Sequence, residues 1–287
     1  MTRKTRFVAV SVSVVCNLAC AYCSLGENAG SGPVCQPDSQ AIDRLFESIG
    51  CTPEKPIPIL RVFGPEPLLN DSAIYAIDEW RNRGLIGQCV VSTNGTLTDI
   101  AVDLAKRDWI LSVSCDGTQQ IDRPFKDGSS SVECVRQTIR ALVEIGAKFQ
   151  ARMTVRDWKC FEESVENIAK LGVPVIEYAP IMPLGKGLGI TTVGDPALAD
   201  AVQAKYLARN IAVYPSHAGR KYCSLAGGGG VYYVYDEIAG QWLESCCYSE
   251  VVPPSPEMRK LARRQGCIHF NTANAWHRSE EGHLPCR

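Results

Sequence analysis

Three cysteines lie within eight residues near the amino terminus, at Cys16, Cys20 and Cys23, and they limit what this chain can be built around. The apolar, β-branched run before them, residues 6–15, predicts a buried parallel strand, so the cysteines fall in the loop at its carboxyl end. Thiolates at CxxxCxxC spacing can each bind one iron of a cubane [4Fe-4S] cluster and leave the fourth iron without a protein ligand. We therefore expect the chemistry to take place at that open iron.

Zinc is the main alternative for a cysteine-rich loop, because tetrahedral thiolate sites suit zinc and iron-sulfur clusters alike. Zinc ribbons, however, usually supply paired CxxC knuckles, and these three cysteines have no paired knuckle beside them. The spacing therefore favours the cluster.

The segment CNLACAYC, residues 16–23, closely resembles the cluster loop of the radical S-adenosylmethionine (SAM) enzymes. The resemblance implies that the amino and carboxylate groups of SAM chelate the open iron and that an electron from the cluster produces a 5'-deoxyadenosyl radical. It also implies that the aromatic residue before the third cysteine, Tyr22, lies beside the cofactor. The electron would come from an external donor such as flavodoxin or ferredoxin.

Strand patterns alternate with helix patterns after the loop, which implies parallel strands joined by right-handed crossovers. The sequence predicts strands at 6–15, 58–63, 88–92, 109–114, 148–155 and 173–178, and helices at 38–48, 70–83, 98–107, 131–145, 161–171 and 197–209. We predict an α/β fold, a partial (β/α)6 TIM-like barrel of the kind that radical SAM enzymes share, with the site at the carboxyl ends of the strands.

The pattern changes near residue 210, after which two short strands, 231–235 and 241–244, flank a turn and predict a β-hairpin. We therefore predict two domains. A radical SAM partial barrel covers 1–210, and a small SPASM- or twitch-like domain with an auxiliary cluster covers 211–287.

The segment FGPEPLL, residues 63–69, is similar to the family's GGEP segment, whose backbone and glutamate hold the SAM amino group. Gly64 would let the backbone approach the ligand, and Glu66 would accept from the ammonium. Pro65 replaces the usual second glycine and removes an amide donor. An ordinary strand-to-helix turn is the alternative interpretation.

Polar residues at the ends of later strands match further SAM contacts of the family. The resemblance assigns contacts with the SAM ribose and carboxylate to Asn94 and Ser114, and an ion pair with the carboxylate to Arg152. Turn chemistry is the alternative for the first two residues, and a surface position is the alternative for Arg152.

The stretch 112–155 resembles the SPASM and twitch branch of the family, which includes anaerobic sulfatase-maturating enzymes and peptide maturases. Asp122 and Arg123 match an Asp-Arg pair of that branch. Asp116, which precedes a glycine, is interpreted as a turn residue. Cys115 stands where an aliphatic residue is usual, and the simpler interpretation is a buried small side chain.

Proteins of that branch carry extra clusters in a C-terminal extension, with one cysteine before a hairpin and another after it. Here Cys223 precedes the hairpin, and Cys246 and Cys247 follow it. Adjacent residues on an extended strand point to opposite sides, so we expect only one of these two to ligate and favour Cys246. With Cys267 and Cys286, these residues predict one auxiliary [4Fe-4S] cluster. Zinc remains the alternative, because four thiolates do not select the metal and His217, His269, His277 and His283 lie nearby in the sequence.

The charge and hydropathy of the chain bear on whether it binds nucleic acid or a membrane. The 30 basic and 31 acidic residues leave a net charge of −1, which gives no electrostatic footprint for nucleic acid or an anionic membrane. No apolar run reaches the roughly 20 residues that span a bilayer, so we expect a cytoplasmic protein. Its 14 cysteines are then better interpreted as metal ligands than as a disulfide scaffold.

These features predict a radical SAM oxidoreductase that oxidises or cross-links a peptide or protein side chain, with the auxiliary cluster as electron acceptor. Glu177 and Tyr178, at the end of the sixth strand, are the candidate bases. Nothing before the first strand could form a leader-binding domain, although a separate protein could provide one. Two alternatives stay open: a twitch-type dehydrogenase of a small polar metabolite such as a sugar alcohol or aminocyclitol, and a non-catalytic iron-sulfur or zinc-binding module.

Overall fold

A computed structural model of the chain describes residues 7–24, 36–181, 185–215, 230–236 and 241–244. The strands are β1 (Phe7–Ser11), β2 (Ile57–Phe63), β3 (Ile86–Thr93), β4 (Ile110–Ser114), β5 (Phe149–Val155), β6 (Val175–Pro180), β7 (Ala212–Pro215), β8 (Gly230–Asp236) and β9 (Gln241–Glu244). The helices are α1 (Ser39–Ile49), α2 (Asp71–Asn82), α3 (Thr98–Lys106), α4 (Val132–Glu144), α5 (Phe161–Ala169) and α6 (Leu198–Leu207). This alternation confirms the predicted α/β class.

The chain forms two compact units, the first of which contains β1, β2, β8 and β9 with α1 and α2. Strand β1 lies between two parallel partners, so that Val10 is opposite Val62 of β2 on one side and Tyr233 of β8 on the other. Strand β9 pairs antiparallel with β8. The indole Nε1 of Trp242 on β9 donates to the carbonyl of Ala41 at 2.7 Å, which fastens the hairpin to α1.

The second unit contains the cysteine loop, the part of β3 from Val90 onward, β4 to β7 and α3 to α6. Its strands are all parallel and lie in the order β3-β4-β5-β6-β7. Burial alternates along β5, where Phe149, Ala151, Met153 and Val155 are buried and the residues between them are half-buried. The sheet of this unit therefore has an apolar face packed in the core and a more polar face opposite it.

Side chains cap the first turns of α1 and α2. Asp38 is the N-cap of α1, where its Oδ1 accepts from the Ala41 amide at 2.8 Å. Asn70 is the N-cap of α2 and is buried; its Oδ1 accepts from the Ala73 amide at 3.3 Å. Its Nδ2 also donates to the carbonyls of Val12 and Pro37, at 2.7 and 2.8 Å. Asn70 thus joins three segments of the first unit.

Two strand pairings differ from the sequence prediction. Strand β7 lies beyond residue 210, where the predicted barrel ends, and extends the parallel sheet next to β6. It has only four residues and shows no clear period. The predicted hairpin is confirmed, but β8 also pairs in parallel with β1, which local sequence patterns do not encode. A separate domain over 211–287 stays a prediction. In the described residues, no helix is long and apolar enough to span a membrane.

Replacement of Asn70 by alanine should lower the free energy of unfolding by about 2–3 kcal/mol, because two buried carbonyls lose their donor and α2 loses its cap. Equilibrium urea denaturation under anaerobic conditions measures the change. The exposed neighbour Ser72 provides the control, since Ser72→Ala should change the free energy by less than about 0.5 kcal/mol. Equal urea midpoints for Asn70→Ala and Ser72→Ala would contradict the linking role of Asn70.

Candidate functional site

The cysteine loop, residues 16–23, is held in the second unit by antiparallel pairing with residues 122–126, which we name the clamp segment. The amides of Ala19, Ala21 and Lys126 donate to the carbonyls of Pro124, Asp122 and Asn17, at 2.8, 2.9 and 3.1 Å respectively. Leu18 and Phe125 form an antiparallel bridge within this pairing. The far end of the loop is also fixed, because the Lys186 amide donates to the Cys23 carbonyl at 2.8 Å. The loop is therefore preorganised by backbone hydrogen bonds.

The three cysteines of the loop are half-buried and form no disulfide among the described residues. Burial raises the pKa of Cys20 to about 11, although the Arg123 guanidinium favours the thiolate; the neighbouring Cys23 and Cys16 raise this pKa further. The three thiols are carried by one short loop whose backbone is fixed by hydrogen bonds. Because thiolates so placed repel one another, they require a cationic centre to be deprotonated together, and this is what an iron centre supplies.

A zinc ion and a [4Fe-4S] cluster require different positions of the three sulfur atoms. Within the described part of the chain, no three His, Cys, Asp or Glu side chains form a group that could hold one metal ion. Thiolates around a zinc ion bind at about 2.3 Å, so their sulfurs must converge on one point. A cubane cluster binds each thiolate through a different iron and requires no such convergence. The CxxxCxxC loop meets the requirement of a [4Fe-4S] cluster, which stays a prediction for Cys16, Cys20 and Cys23.

Asn94, at the carboxyl end of β3, contacts the cysteine loop directly and is buried. Its Nδ2 donates to Asn17 Oδ1 at 2.7 Å and lies 3.7 Å from Cys16 Sγ. Its Oδ1 accepts from both the backbone amide and the hydroxyl of Thr96, at 3.0 and 2.7 Å. Asn17 completes the network by donating to Thr96 Oγ1 at 2.8 Å. Asn94 thus fixes the loop, a role that the sequence analysis did not assign, and its contact with SAM stays a prediction.

Asp116 has a structural role at the cysteine loop that the sequence analysis did not assign. It is fully buried just after β4, where its Oδ1 accepts from the Thr154 amide at 2.8 Å and its Oδ2 accepts from the Tyr22 hydroxyl. Burial raises the pKa of Asp116 to about 6, although Arg123 and the Thr154 amide favour the carboxylate. Asp116 thus anchors the aromatic residue of the cysteine loop. An Asp-Gly pair after a strand resembles any turn, so only its burial distinguishes it.

The predicted amino-group site lies in the first unit. Gly64 has φ +138°, and a Cβ there would lie 2.7 Å from the Ser13 carbonyl oxygen and 3.3 Å from Ser11 Oγ. A larger residue would therefore force the backbone apart. Glu66 is fully buried, and its Oε1 accepts from the Leu68 amide at 3.0 Å, which caps the short 3-10 turn Pro67–Leu69. Both residues are thus held in fixed positions at the end of β2.

The polar face of the second unit carries a hydrogen-bonded row of side chains across β4 to β7. Gln150 lies at its centre: its Nε2 donates to Glu177 Oε2 at 2.7 Å and to Ser112 Oγ at 3.2 Å, and its Oε1 accepts from the Tyr214 hydroxyl at 2.9 Å. Glu177 is therefore placed on a continuous polar surface, in an orientation fixed by an amide donor.

Arg152 lies on the same face of β5, in register with Ser114 on β4 and Glu177 on β6. It is half-buried, and its side chain forms no ion pair or hydrogen bond with another described residue. Strand register therefore brings together Ser114, Arg152 and Glu177, three of the residues predicted from sequence.

Tyr178 lies on the opposite face from Glu177, as adjacent strand residues must. Its ring packs at 4.8 Å from the ring of Phe161, and its hydroxyl accepts from Gln203 Nε2 of α6 at 3.1 Å. Tyr178 therefore has a packing role under the helices. Cys115 is also buried, which raises the pKa of its thiol and matches its interpretation as a small core residue.

The predicted ligands of the auxiliary cluster, Cys223, Cys246, Cys267 and Cys286, lie outside the described residues, as do Cys247 and the four histidines.

Comparison with known proteins identifies the family. The model of the radical SAM superfamily matches residues 10–189. The serine-type anaerobic sulfatase-maturating enzyme of Bacteroides thetaiotaomicron is 27% identical over 185 residues, which are 60% of this chain and 45% of that enzyme. The AdoMet-dependent heme synthase of Methanosarcina barkeri is 26% identical over 193 residues, which are 65% of this chain and 54% of the synthase. The chain thus spans about half the length of these curated relatives.

Solved structures share the fold. Native anSMEcpe with bound AdoMet and Kp18Cys peptide superposes with a TM-score of 0.63 at 15% identity, over 92% of this chain and 83% of that chain. Streptococcus suis SuiB bound to precursor peptide SuiA gives 0.60 at 11% identity, over 81% of this chain and 58% of that chain. The matched segment is most of the chain and includes the cysteine loop, Gly64 and Glu66. The resemblance found in the sequence is confirmed, and the chain belongs to the radical SAM superfamily.

Proposed function

We propose that this protein cleaves SAM reductively and uses the 5'-deoxyadenosyl radical to oxidise or cross-link a peptide or protein side chain. The observation that carries the proposal is the clamped cysteine loop, which lies within the segment that matches the radical SAM superfamily. When bound there by Cys16, Cys20 and Cys23, a [4Fe-4S] cluster supplies the electron that splits the sulfonium. An external donor such as flavodoxin or ferredoxin provides that electron.

The residues at the strand ends are proposed to bind SAM. Glu66 accepts hydrogen bonds from the amino group, next to the close approach of the Gly64 and Ser13 backbones. Arg152 pairs with the carboxylate, and Ser114, its neighbour in register, contributes a hydroxyl. Support comes from the half-buried state of Arg152 without a partner among the described residues, since a cation so placed is stabilised by an anionic ligand.

Glu177 is proposed as the base of the oxidation. The substrate carbon gives a hydrogen atom to the adenosyl radical, which forms 5'-deoxyadenosine. The remaining substrate radical would then lose a proton to Glu177, and an auxiliary cluster held by Cys223, Cys246, Cys267 and Cys286 would supply an acceptor for its electron. Gln150 supports this role because its amide holds one Glu177 oxygen at 2.7 Å on the polar face.

A peptide is the favoured substrate because a relative is a sulfatase-maturating enzyme and two structures of the same fold contain bound peptides. A small polar metabolite is the second candidate. The similarity to a heme synthase, at nearly the same identity, indicates that this sequence group also serves non-peptide chemistry. The hydrogen-bonded row around Gln150 suits polar ligands of either kind.

Single Cys→Ser variants at positions 16, 20 and 23 should each abolish 5'-deoxyadenosine formation, because each removes one iron ligand of the SAM-binding cluster. After anaerobic reconstitution, iron content and 5'-deoxyadenosine are measured upon reduction with SAM. Cys134→Ser on α4 is the control and should keep both values. SAM cleavage that persists in a loop variant would refute the assignment of these ligands.

Iron analysis tests the auxiliary cluster separately. Wild-type protein should bind about eight irons, and Cys267→Ala with Cys286→Ala should reduce this to about four while SAM cleavage continues. A wild-type protein with four irons and one zinc would instead establish the zinc alternative for these cysteines.

Glu177→Gln should lower product formation by about 100-fold and leave 5'-deoxyadenosine formation nearly unchanged, because a base acts after hydrogen abstraction. The matched control is Glu162→Gln, which removes an exposed carboxylate that pairs with Lys205. Equal product yields from both variants would exclude Glu177 as the base.

Deuterium transfer distinguishes the two substrate classes. Peptides with serine or cysteine deuterated at Cβ, and sugar alcohols deuterated on carbon, are each incubated with the reduced protein and SAM. We expect deuterium in 5'-deoxyadenosine from a peptide only. Transfer from a sugar alcohol alone would overturn the peptide proposal in favour of the metabolite dehydrogenase.

A further inference from the structure

The pairing of the cysteine loop with the clamp segment places one charged residue opposite a predicted cluster ligand. Leu18 faces Phe125 in the antiparallel bridge, so two residues further along Cys20 faces Arg123. The bonds from Ala19 to Pro124 and from Ala21 to Asp122 lie on either side of this pair. Cys20 and Arg123 are therefore a non-hydrogen-bonded pair, whose side chains project to the same face with Cβ atoms about 5 Å apart.

Arg123 is buried and its hydrogen-bonding capacity is not filled. The residue is only 5% exposed, and its Nε has no hydrogen-bond partner among the residues that the structure describes. Its nearest ionic partner is Asp116, whose Oδ2 lies 3.8 Å from Nη1 and also accepts from the Tyr22 hydroxyl. A guanidinium has five donors, and a buried donor without an acceptor is costly. The unpaired Nε thus indicates that a further acceptor binds here.

The register places this positive charge beside the loop that carries all three thiols. A cluster held by these thiols would be negatively charged, and its sulfur atoms would be acceptors.

We propose that Arg123 is a positioning residue that places a fixed positive charge beside the SAM-binding cluster and thereby raises its midpoint potential. Reduction adds one electron to the cluster, so a nearby cation stabilises the reduced state more than the oxidised state. Asp116 holds the guanidinium in place and partly offsets its charge. The proposal rests on the cluster of the proposed function and is independent of the substrate.

The test is an anaerobic redox titration of reconstituted full-length protein at pH 8, followed by electron paramagnetic resonance. The cluster at the loop is recognised because its signal changes when SAM is added. Arg123→Gln should decrease the ratio of reduced to oxidised cluster about tenfold at a fixed potential, equal to a shift of about 59 mV. Arg123→Lys, which keeps the charge, should restore most of this shift, and Asp116→Asn should move the potential in the opposite direction.

Arg140→Gln is the matched control, because Arg140 forms an exposed ion pair with Glu133 on α4 and its loss changes the net charge equally. This control should keep the wild-type potential. The proposal is overturned if Arg123→Gln binds iron normally at an unchanged potential. It is also overturned if the Lys and Gln variants lose iron to the same extent, because the arginine would then have a purely structural role. A wild-type protein that binds no iron would instead overturn the proposed function.

Discussion

The antiparallel pairing of the cysteine loop with the clamp segment is the interaction on which the proposed site depends. Cysteine side chains can bind a cluster only if their backbone is held in one conformation, and an isolated eight-residue loop has no such constraint. Hydrogen bonds from Ala19, Ala21 and Lys126 supply it in this protein. The same pairing sets the register of the two segments and places Arg123 opposite Cys20.

The parallel strands of the second unit have two faces of different character. One face of β4 to β6 is apolar and packs in the core, which is where Tyr178 and Cys115 lie. The other face carries the row of Gln150, Glu177 and their partners, with Arg152 in register. Side chains alternate strictly along a strand. Residues that pack in the core and residues proposed to act in catalysis therefore lie on opposite faces of the same strands. Asn94 and Asp116 lie at the carboxyl ends of β3 and β4 and contact Asn17 and Tyr22 of the loop.

Much of the fold was predictable because its signals are local. Asp38 caps α1 with its own side chain, a local contact within one helical turn. The CxxxCxxC spacing predicts the metal ligands without any knowledge of tertiary structure. The roles of Asp116 and Arg123 were not predictable, since they arise from contacts with residues about a hundred positions earlier in the chain. The parallel pairing of β8 with β1 was missed for the same reason. Local patterns identify elements, whereas long-range register determines which residues meet.

The central claim is that one iron of the cluster lacks a protein ligand and binds SAM there. Electron-nuclear double resonance on the reduced protein with SAM labelled by ¹⁵N at the amino group and ¹⁷O at the carboxylate tests it directly. The account predicts hyperfine coupling of the cluster to both labels. Bound SAM without coupling to either label would contradict the account, because the open iron would then not be the site of binding.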